Sequence, residues 1–369
     1  MVSIKEEKIN QFKTTLDWGQ AACEALMKKF EAPLLPPENK WHYHQGVFLY
    51  GLQELSEKKK DDRYSAYIKA YVDSLIDENG NFLFDRKELD SIQAGLLLFE
   101  IEKQTTDQRY RIAADKLLAM FPTLNKTTDG GYWHKDRYPY QMWLDGLYMG
   151  GVFALHYGKE YGDPSLLDMV VEQEALMRKH TFDEETGLYF HAWDESRKTP
   201  WSNEKTGKSP EFWGRAIGWY GMALNEILEF LPEDHPERPK LLQALRNLVQ
   251  SLINYQDEET GLWYQVVDKG DREDNWLETS CSSLFVYMIA KGVKNQFLDE
   301  SLIEFAKKGF QGLIDQIEFT EDGLFVLPGI CIGTGVGDYE HYINRPKTDN
   351  DLHGVGAFVL ASVEMSEFW

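Results

Sequence analysis

The residues equipped for chemistry in this chain sit in short runs that are otherwise apolar. The run Trp143-Leu144-Asp145-Gly146-Leu147-Tyr148-Met149-Gly150-Gly151 carries one carboxylate, Asp145, and continues without charge to Leu155. A helix that is apolar on every side is a buried helix. A carboxylate at its mouth, with no base beside it, is costly to desolvate unless it has a task. Capping is the simplest one: an N-cap Asp accepts a backbone N–H and suits the positive end of the helix dipole. Similar runs carry Trp41, His42, Tyr43 and His44, then Asp90, His134 and Lys135, His191 and Trp193, Trp213, Arg215 and Trp219, Trp276, Glu278 and Thr279, and His353. Trp and Tyr offer flat faces to sugar rings, His and Asp bind hydroxyls, and Arg215 or Lys135 can hold a carboxylate. That inventory points to carbohydrate chemistry in a shared cavity. A carboxyl that donates a proton near neutral pH needs its pKa raised by burial or by a like charge. Burial and a nearby Asp90 are expected to raise Asp145 against the pull of the helix N-terminus.

The elements that must position these residues follow from an internal repeat. An acidic turn with glycine recurs as Asp77-Glu78-Asn79-Gly80, Thr128-Asp129-Gly130, Asp183-Glu184-Glu185-Thr186-Gly187, Asp257-Glu258-Glu259-Thr260-Gly261 and Glu321-Asp322-Gly323. Asp, Asn and Gly supply the turn and its positive φ. Each copy follows an amphipathic segment, at about 61–76, 107–120, 164–180, 236–255 and 299–317. After each copy comes an apolar, Gly- and Ala-rich helix, beginning near Leu89, Met142, Phe212, Trp276 and Leu352. A first pair, 11–30 and 41–55, is joined through Pro33, Pro36 and Pro37. Six outer and six inner helices predict an all-α fold, an (α/α)6 barrel, with residues 1–369 as one catalytic domain. If the inner helices start on one side, their N-terminal residues line one cavity. An open solenoid needs polar capping repeats, and this chain ends apolar at Phe368-Trp369.

Composition excludes several classes. The formal net charge is −22, and no Lys/Arg stripe offers a nucleic-acid footprint. An acidic surface repels anionic ligands at long range, so an acidic substrate must be held by a few local cations. Cys23, Cys281 and Cys331 are odd in number and form no CxxC pair, which fits reduced thiols in a cytoplasmic protein. The stretch from Met1 to Glu7 lacks a signal-peptide core, and nothing is long and apolar enough to span a membrane. The His and Asp residues have no compact metal-ligand spacing such as HExxH. Gly333-Thr334-Gly335-Val336-Gly337 is like a phosphate loop only in composition, and no serine sits in a GxSxG elbow.

Over nearly its whole length the chain resembles the unsaturated rhamnogalacturonyl hydrolases, glycoside hydrolase family 105. The matching pieces are Trp41-His42-Tyr43-His44-Gln45-Gly46, Leu89-Asp90-Ser91-Ile92, Trp133-His134-Lys135, the Trp143 to Met149 run, His191 to Glu195, Phe212 to Trp219, and Gly333 to Gly356. The resemblance implies an (α/α)6 barrel with no metal or cofactor, acting in the cytoplasm on oligosaccharides left by pectin lyases. It implies removal of a terminal 4,5-unsaturated galacturonic acid by hydration of its vinyl ether. Asp145 matches the general acid and Asp90 its carboxylate partner. Tyr43, His134, Lys135, Trp143, His191, Trp213, Arg215, Trp219 and His353 are the expected substrate-binding set. The expected assembly is a monomer or weak homodimer. The alternatives are an unsaturated glucuronyl hydrolase for glycosaminoglycan or ulvan fragments, a sugar epimerase relying on His191 and His353, and a non-catalytic sugar-binding module. The loop from Glu195 to Pro210 is long enough for a lid or a specificity rim.

Overall fold

The computed structural model describes residues 4–84 and 87–369, so Met1–Ser3 of the N-terminal stretch lie outside it. Amphipathic helices Thr15–Lys29, Asp62–Asp73, Gln108–Leu118, Ser165–Thr181, Arg238–Asn254 and Ile303–Gln316 alternate with buried ones. The buried partners are Tyr43–Lys59, Leu96–Thr105, the run from Leu144 to Tyr161, Gly214–Phe230, Thr279–Lys294 and Leu352–Met365. The pattern has a simple cause. Arg238–Asn254 buries only one stripe, through Leu241, Leu245, Leu248 and Leu252, whereas Gly214–Phe230 is buried from Gly214 to Leu228. An additional short helix, Ile4–Gln11, precedes the first pair.

The buried helices pack in succession. Tyr43–Lys59 contacts the segment around Gln93–Thr105, which contacts the Leu144–Tyr161 run. That run packs on Gly214–Phe230, then Thr279–Lys294, then Leu352–Met365, which packs back on Tyr43–Lys59. The result is an almost entirely helical fold whose long-range packing fits a toroid. Gly356 shows how close the returning contact is: a Cβ there would lie 2.6 Å from the Val47 and Phe48 backbone. Glycine is the residue that permits such an approach.

The acidic turns have one geometry. Gly80, Gly130, Gly187, Gly261 and Gly323 all have positive φ, between 71° and 100°. In two copies the Asp carboxylate ties the turn through the same contacts. Asp183 accepts from the Thr186 N–H at 2.9 Å, and Asp257 from the Thr260 N–H at 2.7 Å. The extended pieces beside the turns form single bridges, Ile76 to Phe82, Lys126 to Tyr132 and Phe182 to Tyr189. The strands of the described residues form two-stranded ladders only, and one of them, Gln141–Trp143 against Ala192–Asp194, builds the site.

Two buried helices depart from the expected regular start. The second opens as 3-10 turns, Leu89–Ser91 and Gln93–Gly95, before Leu96–Thr105. The third passes through a π segment, Leu147–Val152, a local widening that often marks functional sites. Its N-cap is Trp143, and Asp145 is already inside the first turn, so Asp145 does not cap the helix as expected. Among the described residues no helix is long and apolar enough to cross a membrane.

Candidate active site

The Gln141–Trp143 ladder is what brings Asp145 to its partner. Trp143 pairs with Ala192, and the Leu144 N–H donates to the His191 carbonyl at 2.9 Å. Pairing that continues past the strand sets the next residues face to face. Asp145 Oδ2 lies 3.2 Å from His191 Nε2; the carboxylate side chain is 13% exposed and the imidazole fully buried. Asp145 therefore faces the cavity, with His191 behind it. His191 Nδ1 is 2.6 Å from the Tyr342 hydroxyl, and that hydroxyl accepts the Gly337 N–H at 3.3 Å. A hydroxyl that accepts there is free to donate its one proton to Nδ1, which leaves the ring proton on Nε2, the nitrogen 3.2 Å from Asp145.

This pairing reverses the expected pKa shift. Burial does push the Asp145 carboxyl up, but the His191 imidazole beside it, with His134 further off, holds it below the usual carboxylate value. Asp90 does not act as the expected like charge, because it is neutralised where it sits. His134 Nε2 is 3.3 Å from Oδ1, His42 Nε2 is 3.6 Å from Oδ2, and Lys135 bonds Oδ2 directly. Although burial opposes ionisation, His134 and Lys135 hold Asp90 well below the carboxylate range.

The close approach of the two carboxylate-bearing segments depends on glycine. A Cβ at Gly146 or Gly150 would come within 2.9 Å and 2.8 Å of the Leu89 side chain, next to Asp90. Asp90 and Asp145 consequently line one cavity of about 270 Å³. Its walls include Tyr43 and His44 on one side, Tyr138 and Trp143 on another, and the backbone of Gly333 to Gly335 across the top. Trp143 is stacked between His134, at 4.3 Å, and Tyr138, at 4.9 Å.

Several expected binding residues have other work. Lys135 is pinned between Asp90 and Glu88, whose Oε1 is 3.5 Å away, and is no loose clamp for a uronate. Arg215 donates to the Cys331 carbonyl at 2.6 Å and the Ile332 carbonyl at 2.8 Å, and lies 4.4 Å over the Trp213 ring. It anchors the glycine strap that roofs the cavity and is itself absent from the walls. Trp213 stacks on Tyr342 at 5.6 Å, Trp219 stacks on Tyr148 at 5.0 Å, and both are 1% exposed. Both form the packing behind the walls. His353 is fully buried, with Nδ1 2.9 Å from Asp351 and Nε2 3.2 Å from the Cys331 carbonyl.

The segment from Glu195 to Pro210 is not part of the cavity wall. Asp194 ties it down by accepting the N–H groups of Ser196, Lys198 and Thr199. The stretch Gly333 to Gly335, like a phosphate loop only in composition, closes the cavity instead. Glu278, expected at the mouth, caps Thr279–Lys294 through Ser280 and Cys281 and also accepts the Cys331 N–H at 2.9 Å. The walls also hold Arg137 and Tyr138, which the sequence marks only by their place beside the His134-Lys135 motif.

For a metal, two groups bring ligand-type atoms within 4.8 Å of one another: His44, Asp351 and His353, and His42, Glu88 and Asp90. In the second, Lys135 already supplies the positive charge.

The sequence profile described as Glycosyl Hydrolase Family 88 matches residues 18–369. The chain belongs to that family. This family 88 member is therefore a glycoside hydrolase. It is similar to a glycoside hydrolase of family 105 from C. acetobutylicum ATCC 824, whose solved structure has a TM-score of 0.90 and 38% identity over 95% of this chain and 99% of that one. It is 25% identical over 296 residues, 77% of each chain, to the unsaturated rhamnogalacturonyl hydrolase YesR of Bacillus subtilis (strain 168). An unsaturated 3S-rhamnoglycuronyl hydrolase of Alteromonas sp. (strain LOR) is 24% identical over 346 residues, 89% of this chain and 78% of that one.

Proposed function

We propose that this family 88 enzyme removes the terminal 4,5-unsaturated galacturonic acid from rhamnogalacturonan-derived oligosaccharides by hydrating its vinyl ether. The observation that carries the reading is Asp145: a carboxylate facing a polar cavity, backed by a buried imidazole at 3.2 Å, with a second, ionised carboxylate in the same walls. In this reading Asp145 gives its proton to C4. Positive charge develops at C5 and on the ring oxygen, and water adds its oxygen to C5 as Asp145 takes back a proton. The hemiketal then opens to a C5 ketone, and the C1 hemiacetal expels the remaining sugar chain as an alcohol.

Asp145 must hold a proton at the start, although His191 keeps it ionised in the free protein. The substrate supplies the reason for the change. Its own carboxylate enters a site from which water is leaving, and both a like charge and desolvation favour a protonated Asp145. Asp90, fixed by His134 and Lys135, is suited to orient sugar hydroxyls or the attacking water. The two-carboxylate spacing rule for ordinary glycosidases does not apply, since protonation is at carbon.

We also read the fold as a single-domain (α/α)6 barrel. The succession of buried helices, with Leu352–Met365 back against Tyr43–Lys59, supports this. The epimerase alternative is disfavoured because His353 has both ring nitrogens held by protein oxygens and does not line the cavity. The test is to incubate the protein with the unsaturated galacturonyl–rhamnose disaccharide and follow the ultraviolet absorbance of the double bond. Loss of absorbance with release of rhamnose supports the reading. Unchanged absorbance with every unsaturated uronide tried refutes it.

A further inference from the structure

The net charge of −22 makes an anionic oligosaccharide a poor partner for most of this surface. Within the cavity, Lys135 is spent on Asp90 and Glu88, and Arg215 is spent on backbone carbonyls. Arg137 is different. It lines the same cavity, it is exposed, and its guanidinium lies 4.9 Å from the Tyr138 ring with no ion pair among the described residues. Among the described residues no ion pair joins it to its chain neighbour Asp136, whose Oδ1 accepts from Asn125 at 2.9 Å.

The position of Arg137 is set by a tight loop. The His134 N–H donates to the Gln141 carbonyl at 2.8 Å, and the Tyr138 N–H to the Lys135 carbonyl at 2.9 Å. That closure turns His134 and Lys135 inward to Asp90 and leaves Tyr138 and Arg137 at the rim. Beside Asp145 in the cavity wall, exposure rises from buried Trp143 through half-buried Tyr138, stacked on it, to exposed Arg137 over the Tyr138 ring. A substrate whose terminal residue reaches Asp145, and whose next sugars leave along this ladder, meets Arg137. A guanidinium held over an aromatic face keeps its edge donors free for an oxyanion.

We propose that Arg137 is a specificity-determining residue that binds the first anionic group of the substrate beyond the unsaturated terminal residue. This rests on the functional reading above and extends it to the leaving side of the chain. Two sources carry that chemistry: the carboxylate of a galacturonate two sugars out, and a sulfate ester on the adjacent rhamnose. The preferred substrate is then not the minimal neutral-tailed disaccharide but a fragment whose tail is charged.

The test compares kcat and KM of wild type, Arg137→Ala and Arg137→Lys on three substrates. These are the unsaturated galacturonyl–rhamnose disaccharide, its extension by a galacturonate, and an unsaturated uronyl disaccharide with 3-sulfated rhamnose. Arg137→Ala is expected to raise KM on one charged-tail substrate about tenfold more than on the plain disaccharide, the effect of losing one charge-assisted hydrogen-bonding group. Arg137→Lys should restore part of that difference, and added salt should shrink the wild-type preference. Which charged substrate responds identifies the source of the anion. An equal change on all three substrates, or no change on either charged one, overturns the proposal while wild-type turnover of the disaccharide leaves the parent reading standing. Absence of wild-type turnover on all three overturns both, and is seen before any variant is made.

Discussion

Glu54 lies in the helix whose first residues, Tyr43 and His44, wall the cavity, about 16 Å further along its axis. Burial, then the Glu57 carboxylate, pushes its pKa up from 4.5 to about 7; Glu226 and Glu364 add to the effect. Lys291 opposes the shift, but its ammonium is already shared between Glu226 and Glu229. The native state thus keeps a proton that the unfolded chain has lost, so folding stability falls as pH rises from about 4.5 to about 7 and is level above. At 1.36 kcal/mol per unit the shift corresponds to about 3 kcal/mol, or about 2 kcal/mol once the partial exposure of the carboxyl is discounted. Glu54→Gln removes the titration and keeps the shape. Urea unfolding of both proteins, at several pH values from about 4 to about 8, isolates this group because titrations not coupled to it cancel in the difference. The variant should match wild type at the acid end and exceed it by about 2 kcal/mol at the alkaline end. Parallel curves for the two proteins would refute the reasoning, and a variant less stable at every pH would show that Glu54 makes a contact worth more than its burial costs.

Other outcomes follow from the site. Asp145→Asn should lower kcat on the unsaturated disaccharide by about a thousandfold or more with the circular dichroism spectrum unchanged, the scale expected for loss of a general acid. His191→Asn should lower kcat as well, yet move the alkaline limb of its pH profile upward, because the group that depresses the Asp145 pKa is gone; an unmoved limb would separate His191 from that acid. Arg215→Met removes two bonds to strap carbonyls and leaves buried Glu278, 3.9 Å away, without its cation. Destabilisation of about 3 kcal/mol in urea unfolding is expected. Gly356→Ala places a methyl 2.6 Å from the Val47 backbone and should cost about 3 kcal/mol or prevent folding.

The residues expected to meet at one end of the fold were legible because each sits at the start of an apolar helix, and helix starts are marked by local composition. Asp145, Asp90, Tyr43 and Trp143 do line a common cavity. What local composition does not carry is the partner of each charge. Arg215 and Lys135 read as free cations for a uronate, since the atoms that claim them lie 117 and 45 residues away in the chain. The same blindness misdirected the Asp145 pKa: burial was foreseen, but not the imidazole that overrides it.

Sequence alone determined the alternation of amphipathic and buried helices and the glycine in each acidic turn, because periodicity and positive φ are properties of a few consecutive residues. It also determined which side chains stand at the buried helix starts. Tertiary structure decided what those side chains do. The pairing of Gln141–Trp143 with Ala192–Asp194 turned Asp145 toward His191, a tight loop left Arg137 at the rim with no ion-pair partner among the described residues, and Arg215 became the anchor of the Cys331–Ile332 backbone beside the cavity. Electrostatic roles are settled by neighbours within a few ångströms, and in this chain those neighbours are distant in sequence.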